Sequence, residues 1–147
     1  MVEKYFQGEV PASKSPDKKD SPLIERASKL PSIVDKRIES LDFSGALSEI
    51  WALVNMANKY IEDDAPWTLA KQGKMDRIGT FLYNLVEILR IVAILVYPFI
   101  PRSAQNMWSQ LGYEGKVEED PFAQTQWAQI KPGQKIKKGK PLFPRVE

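Results

Sequence analysis

Apolar residues recur along most of this chain at the three-and-four spacing of a helix face. Behind Ser21-Pro22, which fits an N-cap followed by proline in a first turn, Ala27, Leu30, Val34, Ile38 and Leu41 keep that spacing. Pro31 interrupts them and should kink or split the helix. The next face is the clearest: Phe43, Ala46, Leu47, Ile50, Leu53, Val54, Ala57 and Ile61. Its other side is polar, with Lys59 and a stripe of Asn55, Asn58 and Glu62. Pro66 ends this helix and begins a short one, Trp67 to Gln72. A third long helix runs from about Lys74 to Tyr97 on Ile78, Phe81, Leu82, Leu85, Leu89, Val92 and Val96. Its second half is apolar nearly all round, which makes it the central helix. Pro98 and Pro101 break it. Arg102 to Gly112 forms a fourth, with Ala104, Met107, Trp108 and Leu111 inward and Gly112 as its stop.

Between and after these helices the pattern changes. Gly8 to Pro22 is polar and punctuated by proline, as a loop is. Residues 113–147 are rich in Pro, Gly, Gln and Lys, with apolar islands at Phe122, Trp127, Ile130 and Leu142-Phe143. The reading is an all-α protein in one domain, 1–147: a helical bundle over about 22–112 and an irregular, extended C-terminal tail, 113–147, clamped onto it. Removing such a tail should be milder than cutting into the central helix.

Composition narrows the chemistry. With 147 residues and 43% hydrophobic content the chain can bury one core. Its 21 basic and 19 acidic residues leave a net charge of +2, too balanced to mark a nucleic-acid binder by charge. There is no cysteine, so no disulfide and no thiolate metal site; this suits a reducing cytoplasm. There is no histidine either, which removes Ser-His-Asp and Cys-His catalysis and His-ligated zinc. The eight glycines are scattered and make no phosphate loop. The apolar run Ile91 to Pro101 is too short to span a bilayer and contains Pro98, and the N-terminus has no apolar signal core. No internal repeat is present. A binding module remains, with no metal, no cofactor and no membrane.

Two features invite a sharper reading. From Lys131 to Arg145 the tail carries six basic residues and no acid. That is either a solvated surface, which is common for a tail, or a strip facing phosphates. The second feature is Trp67, set in the polar turn "EDDAPWTLAK". Either it caps the core end, as expected of Trp51, Trp108 and Trp127, or it is held out beside the Asn55/Asn58/Glu62 stripe. In the second case a flat ring, amides and a carboxylate offer stacking and edge hydrogen bonds to an unpaired base. Composition alone favours the core.

The stretches "NKYIEDDAPWTLAKQG", "LYNLVEILRIVAILVYPFIPRSAQNMWSQLG" and "PGQKIKKGKPLFPRVE" resemble the anticodon-binding domain of bacterial methionyl-tRNA synthetases over essentially the whole chain. "PFIPRSAQNMWSQLG" is moderately specific, since the isoleucine, leucine and valine enzymes carry similar Pro-x-x-Pro…Trp…Leu-Gly stretches. The Asn-x-Tyr…Pro-Trp…Ala-Lys turn and the closing Pro-Leu-Phe-Pro-Arg are more specific. The resemblance implies a helical bundle that holds the CAU anticodon of methionine tRNA. It implies that Trp67 stacks on an anticodon base, that Pro66 shapes the turn, and that Asn58 and Glu62 flank the anticodon. It also implies a catalytic domain using ATP and methionine, and an Asn and an Arg four apart on a helix before Met1. Neither lies in these residues, nor does a His-Ile-Gly-His or Lys-Met-Ser-Lys-Ser signature. The chain therefore reads as a fragment of a larger ligase, with methionine tRNA and the catalytic domain of the same polypeptide as partners. In the family the last segment folds toward that domain, so Lys135, Lys137, Lys138 and Lys140 would face it. Two alternatives stand beside this: the matching domain of another class I synthetase, and a helical protein-interaction module.

Overall fold

The computed structural model describes residues 1–119 and 125–143. Among them the chain forms α1 (Val2–Phe6), α2 (Asp20–Glu39), α3 (Phe43–Asp64), α4 (Pro66–Lys71), α5 (Met75–Val96) and α6 (Pro101–Gln110), then a single 3-10 turn, Val117–Glu119. The fold is all-α. Among the described residues the one β-type pairing is an antiparallel bridge between Glu9 and Lys135.

α2 and α3 make the most extensive helix–helix contact, and α5 packs against α2, α3, α4 and α6. The centre of the molecule is α5, as its apolar second half requires. By length and composition α5 could cross a membrane, but its neighbours cover it almost completely, so its apolarity is that of a core helix. Ala27, Leu30, Val34, Ile50, Leu53, Ile78, Phe81, Ile91 and Leu95 are all buried in one cluster. A smaller cluster gathers Trp108 with Ala93, Ile94 and Val117, and the Trp108 ring stacks on Tyr113 with centroids 4.0 Å apart.

Several expectations are corrected. α2 runs unbroken through Pro31, whose ring is buried in the core; packing offsets the one backbone hydrogen bond that proline removes. The helix starts at Asp20, with Lys19 and not Ser21 at the N-cap position. Leu41 lies beyond the helix, at φ 58°, and is exposed. Trp51 is 47% exposed and Phe43 is half exposed, because the groove they line with Leu47 and Pro98, Phe99 and Ile100 is open. Leu89 is 45% exposed and is not a core residue.

The tail is more deeply engaged than a peripheral clamp. Ile130 is buried and Trp127 packs on the core, whereas Phe143 is exposed; Phe122 lies outside the described residues. Residues 133–136 run antiparallel to residues 8–10, with Val10 N–H donating to Gln134 O (2.9 Å) and Ile136 N–H to Gly8 O (2.8 Å). Gly112 stops α6 at φ 85°, and any Cβ there would collide with the Lys135 carbonyl. Beneath the tail, Glu87 and Arg90 of α5 form a fully buried ion pair (2.6 Å). Glu87 also accepts the backbone N–H groups of Gln129 and Ile130 (both 3.0 Å), and Arg90 donates to the Gln126 carbonyl (2.6 Å). The buried charges of the central helix are thus completed by tail backbone.

Candidate nucleic-acid interface

The corner between α3 and α4 is dictated by Pro66. Proline disfavours the right-handed helical conformation at the residue before it, so α3 cannot continue through Ala65. Ala65 turns to φ 40°, ψ 70°, in the left-handed region that residues with a Cβ rarely enter. Its N–H still donates to Ile61 O (3.2 Å), and its carbonyl accepts the Thr68 N–H (2.7 Å). Pro66 is buried at the first position of α4, where its missing N–H leaves nothing unsatisfied.

This short helix has two sides. Leu69 and Ala70 pack on the core. Trp67 and Thr68 point outward, and Trp67 is 54% exposed. The ring is therefore not a core plug. Asn58 and Glu62, one turn apart on α3, are exposed, as is Asn55. Asn58 sits at the rim of an apolar cavity of 310 Å³ between α3 and α5, which Met1, Val54, Ile61, Leu85 and Leu89 also line. Lys59, Lys71 and Lys74 are exposed on the same stretch of chain. The corner thus offers a flat aromatic surface, a carboxylate about one helical turn before it and an amide about two turns before it, and cations. Among the described residues no group of three or more metal-ligating side chains occurs.

Behind the corner lies a polar cluster that the helical pattern did not announce. Asp20, in the first turn of α2, is 2% exposed. Both its oxygens accept from the Arg77 guanidinium, each at 2.8 Å. Tyr60 OH donates to Asp20 (2.6 Å) and accepts from Asn84 (3.3 Å), while its ring stacks on Phe81. Arg77 also donates to Asp64, the last residue of α3, which lies 3.7 Å from Lys19. Burial alone pushes the Asp20 carboxyl upward. Hydrogen bonds from Arg77, Tyr60 and the Asp17 backbone together outweigh it and hold Asp20 below the usual carboxylate range. Burial works against charge on Arg77, but Asp20 and Asp64 keep it charged and raise its pKa. The Tyr60 hydroxyl is raised, first by burial and then by its bond to Asp20.

Residues 10–147 match the family described as the anticodon binding domain of methionyl tRNA ligase. The chain belongs to this family. It is 43% identical to a methionine–tRNA ligase of Caldanaerobacter subterraneus subsp. tengcongensis and 37% identical to that of Bacillus subtilis, in each case over the whole of this chain. It spans 23% and 22% of the length of those two proteins. Among solved structures it is similar to the free form of Mycobacterium tuberculosis methionyl-tRNA synthetase, with a TM-score of 0.91 at 30% identity, covering 100% of this chain and 30% of that one. The anticodon-binding domain therefore presents Trp67 outward at the end of α3, with Asn58 and Glu62 on the helix that leads to it.

The pattern of the sequence missed the Asp20–Tyr60–Arg77 cluster and the Glu87–Arg90 pair. Signals for both were present. Glu87 and Arg90 are opposite charges three residues apart inside a run with no polar side. Asp64 and Arg77 are charges at the unfavourable ends of their helices.

Proposed function

We propose that this chain forms one domain that holds the CAU anticodon of methionine tRNA, as part of a methionine–tRNA ligase. Trp67 stacks on an anticodon base, Pro66 sets the turn that exposes it, and Asn58 and Glu62 flank the loop, where the carboxylate can accept from a cytosine amino group. The observation that carries this reading is the exposure of Trp67 on a helix whose opposite side is anchored in the core. A large aromatic ring facing solvent on a rigid support can serve as a stacking platform for an unpaired base.

ATP and methionine belong to the catalytic domain of the complete ligase, which works in the cytoplasm. The 147-residue chain should support no methionine-dependent ATP–pyrophosphate exchange, and exchange proportional to its concentration would contradict this. The direct experiment is a titration with a methionine anticodon stem-loop at several salt concentrations. Trp67→Ala should remove about 1–3 kcal/mol of binding, the usual worth of one base–aromatic stack. Trp67→Phe should recover part of it. The melting temperature should hardly move, because the ring is exposed. A large loss of stability with unchanged RNA affinity would sink the assignment.

A further inference from the structure

Residues 65–74, which carry α4 and Trp67, connect the end of α3 at Asp64 to the start of α5 just before Arg77, with Leu69 and Ala70 packed on the core and Trp67 facing out. Asp64 and Arg77 are ion-paired, so the two ends of this connection are stapled together. We infer that this staple, seated on Asp20, is a positioning device that fixes the direction in which the Trp67 ring faces an RNA base. The inference rests on the anticodon reading of this corner.

The placement of the charges argues for positioning over helix stability. Asp64 follows Glu62 and Asp63 at the C-terminal end of α3, where the helix dipole disfavours anions and no basic residue stands in the last turn. Arg77 lies in the first turn of α5, where the dipole disfavours cations. Each residue weakens its own helix, and what the two gain is a link between the end of α3 and the start of α5. The guanidinium fork is already satisfied on two nitrogens by Asp20 of α2, so its direction is fixed before Asp64 binds it. The side chains of Asp64 and Arg77 are nearly inaccessible, which keeps both from reaching RNA themselves. Only Ala65 and Pro66 separate Asp64 from Trp67, and the left-handed Ala65 has few alternative conformations.

The test uses the 147-residue chain and a methionine anticodon stem-loop, with Asp64→Asn and Trp67→Ala measured in parallel. Asp64→Asn keeps the shape of the side chain and leaves the Asp20–Arg77 pair intact. It should weaken stem-loop binding on the order of tenfold, within the worth of the stack it misaligns. The indole N–H resonance of Trp67, assigned by its loss in Trp67→Phe, should shift or broaden, while those of Trp51, Trp108 and Trp127 stay in place. The salt dependence of binding should be unchanged, since no phosphate contact is lost. Unaltered affinity in Asp64→Asn beside a clear loss in Trp67→Ala would overturn the positioning role and leave the anticodon reading standing. No loss in Trp67→Ala would overturn the anticodon reading itself. Movement of all four indole signals, or an altered salt slope, would show that Asp64 acts through general stability or directly on RNA, and would likewise overturn the inference.

Discussion

Two buried ion clusters sit on the same helix, α5, and are completed in different ways. Near its start, Arg77 meets mainly side chains: Asp20 from α2 and Asp64 from α3, with the Tyr60 hydroxyl at 3.2 Å and a longer bond to the Ser15 carbonyl at 3.4 Å. Further along, the Glu87–Arg90 pair is closed by backbone groups of the tail, the N–H of Gln129 and Ile130 and the carbonyl of Gln126. The first cluster joins helix ends to one another around the Trp67 corner. The second joins the bundle to an irregular segment that has no helix of its own. Side-chain partners make the first tolerant of partial loss, because Arg77 retains one carboxylate when the other is removed. Backbone partners make the second intolerant, because they leave only when the whole tail leaves.

The strongest way to break this contrast is to remove the tail. A chain ending at Gly112 strips two donors from Glu87 and one acceptor from Arg90, and it uncovers Ile130's place in the core. It should be at best marginally folded, against the milder outcome that the tail's composition suggests. Glu87→Ala isolates the same effect within the full chain. It leaves Arg90 buried beside the tail without its carboxylate and should destabilise by about 3–5 kcal/mol, read from urea unfolding. A stable bundle in either case would mean that the tail merely covers charges that the helices tolerate alone.

Asp20→Ala is the matching cut at the other cluster and should be milder. Arg77 keeps Asp64, and the Tyr60 oxygen still accepts from Asn84, although the Tyr60 O–H loses its acceptor. The loss should be about 1.5–3 kcal/mol, the range for hydrogen bonds to charged groups. If Asp20→Ala proves as damaging as Glu87→Ala, the distinction between side-chain and backbone closure has no energetic content.

The same contrast explains what could be read from the sequence. Helical spacing placed α3, α5 and the short α4 with ends within a residue or two, because apolar period is a local property. The proline corner was legible too: Pro66 had to end α3 and could begin α4. Burial of charge was only hinted at, by charges in an apolar run and at unfavourable helix ends, because the groups that complete it are far apart in sequence. Arg77 and Asp20 are 57 residues apart, and Glu87 and Ile130 are 43 apart. Nor does periodicity tell which apolar side of a helix is covered. Phe43 and Leu89 fit their helical faces and Trp51 was expected to cap the core, yet all three are about half exposed. At the candidate site, the exposure of Trp67 ran against its composition and with the resemblance. The cluster that supports it needed the structure.

The smallest effect sharpens the comparison through pH. The Asp20 carboxyl is held below its ordinary value in the folded chain, so the folded state binds its proton less readily than the unfolded chain does. Its contribution to stability is therefore complete above the unfolded value, about 3.9, and is lost as pH falls through the lower folded value. Between pH 5 and 8 Asp20 should add no slope to stability. Below about pH 4 the wild-type chain should lose stability with falling pH more steeply than Asp20→Asn, whose amide does not titrate. Urea midpoints of the two proteins from pH 2.5 to 7 give this difference directly, and they should converge at the acid end. Parallel curves over the whole range would mean that Arg77 and Tyr60 do not favour the ionised form of Asp20. The cluster beneath the Trp67 corner would then be held by packing and not by charge.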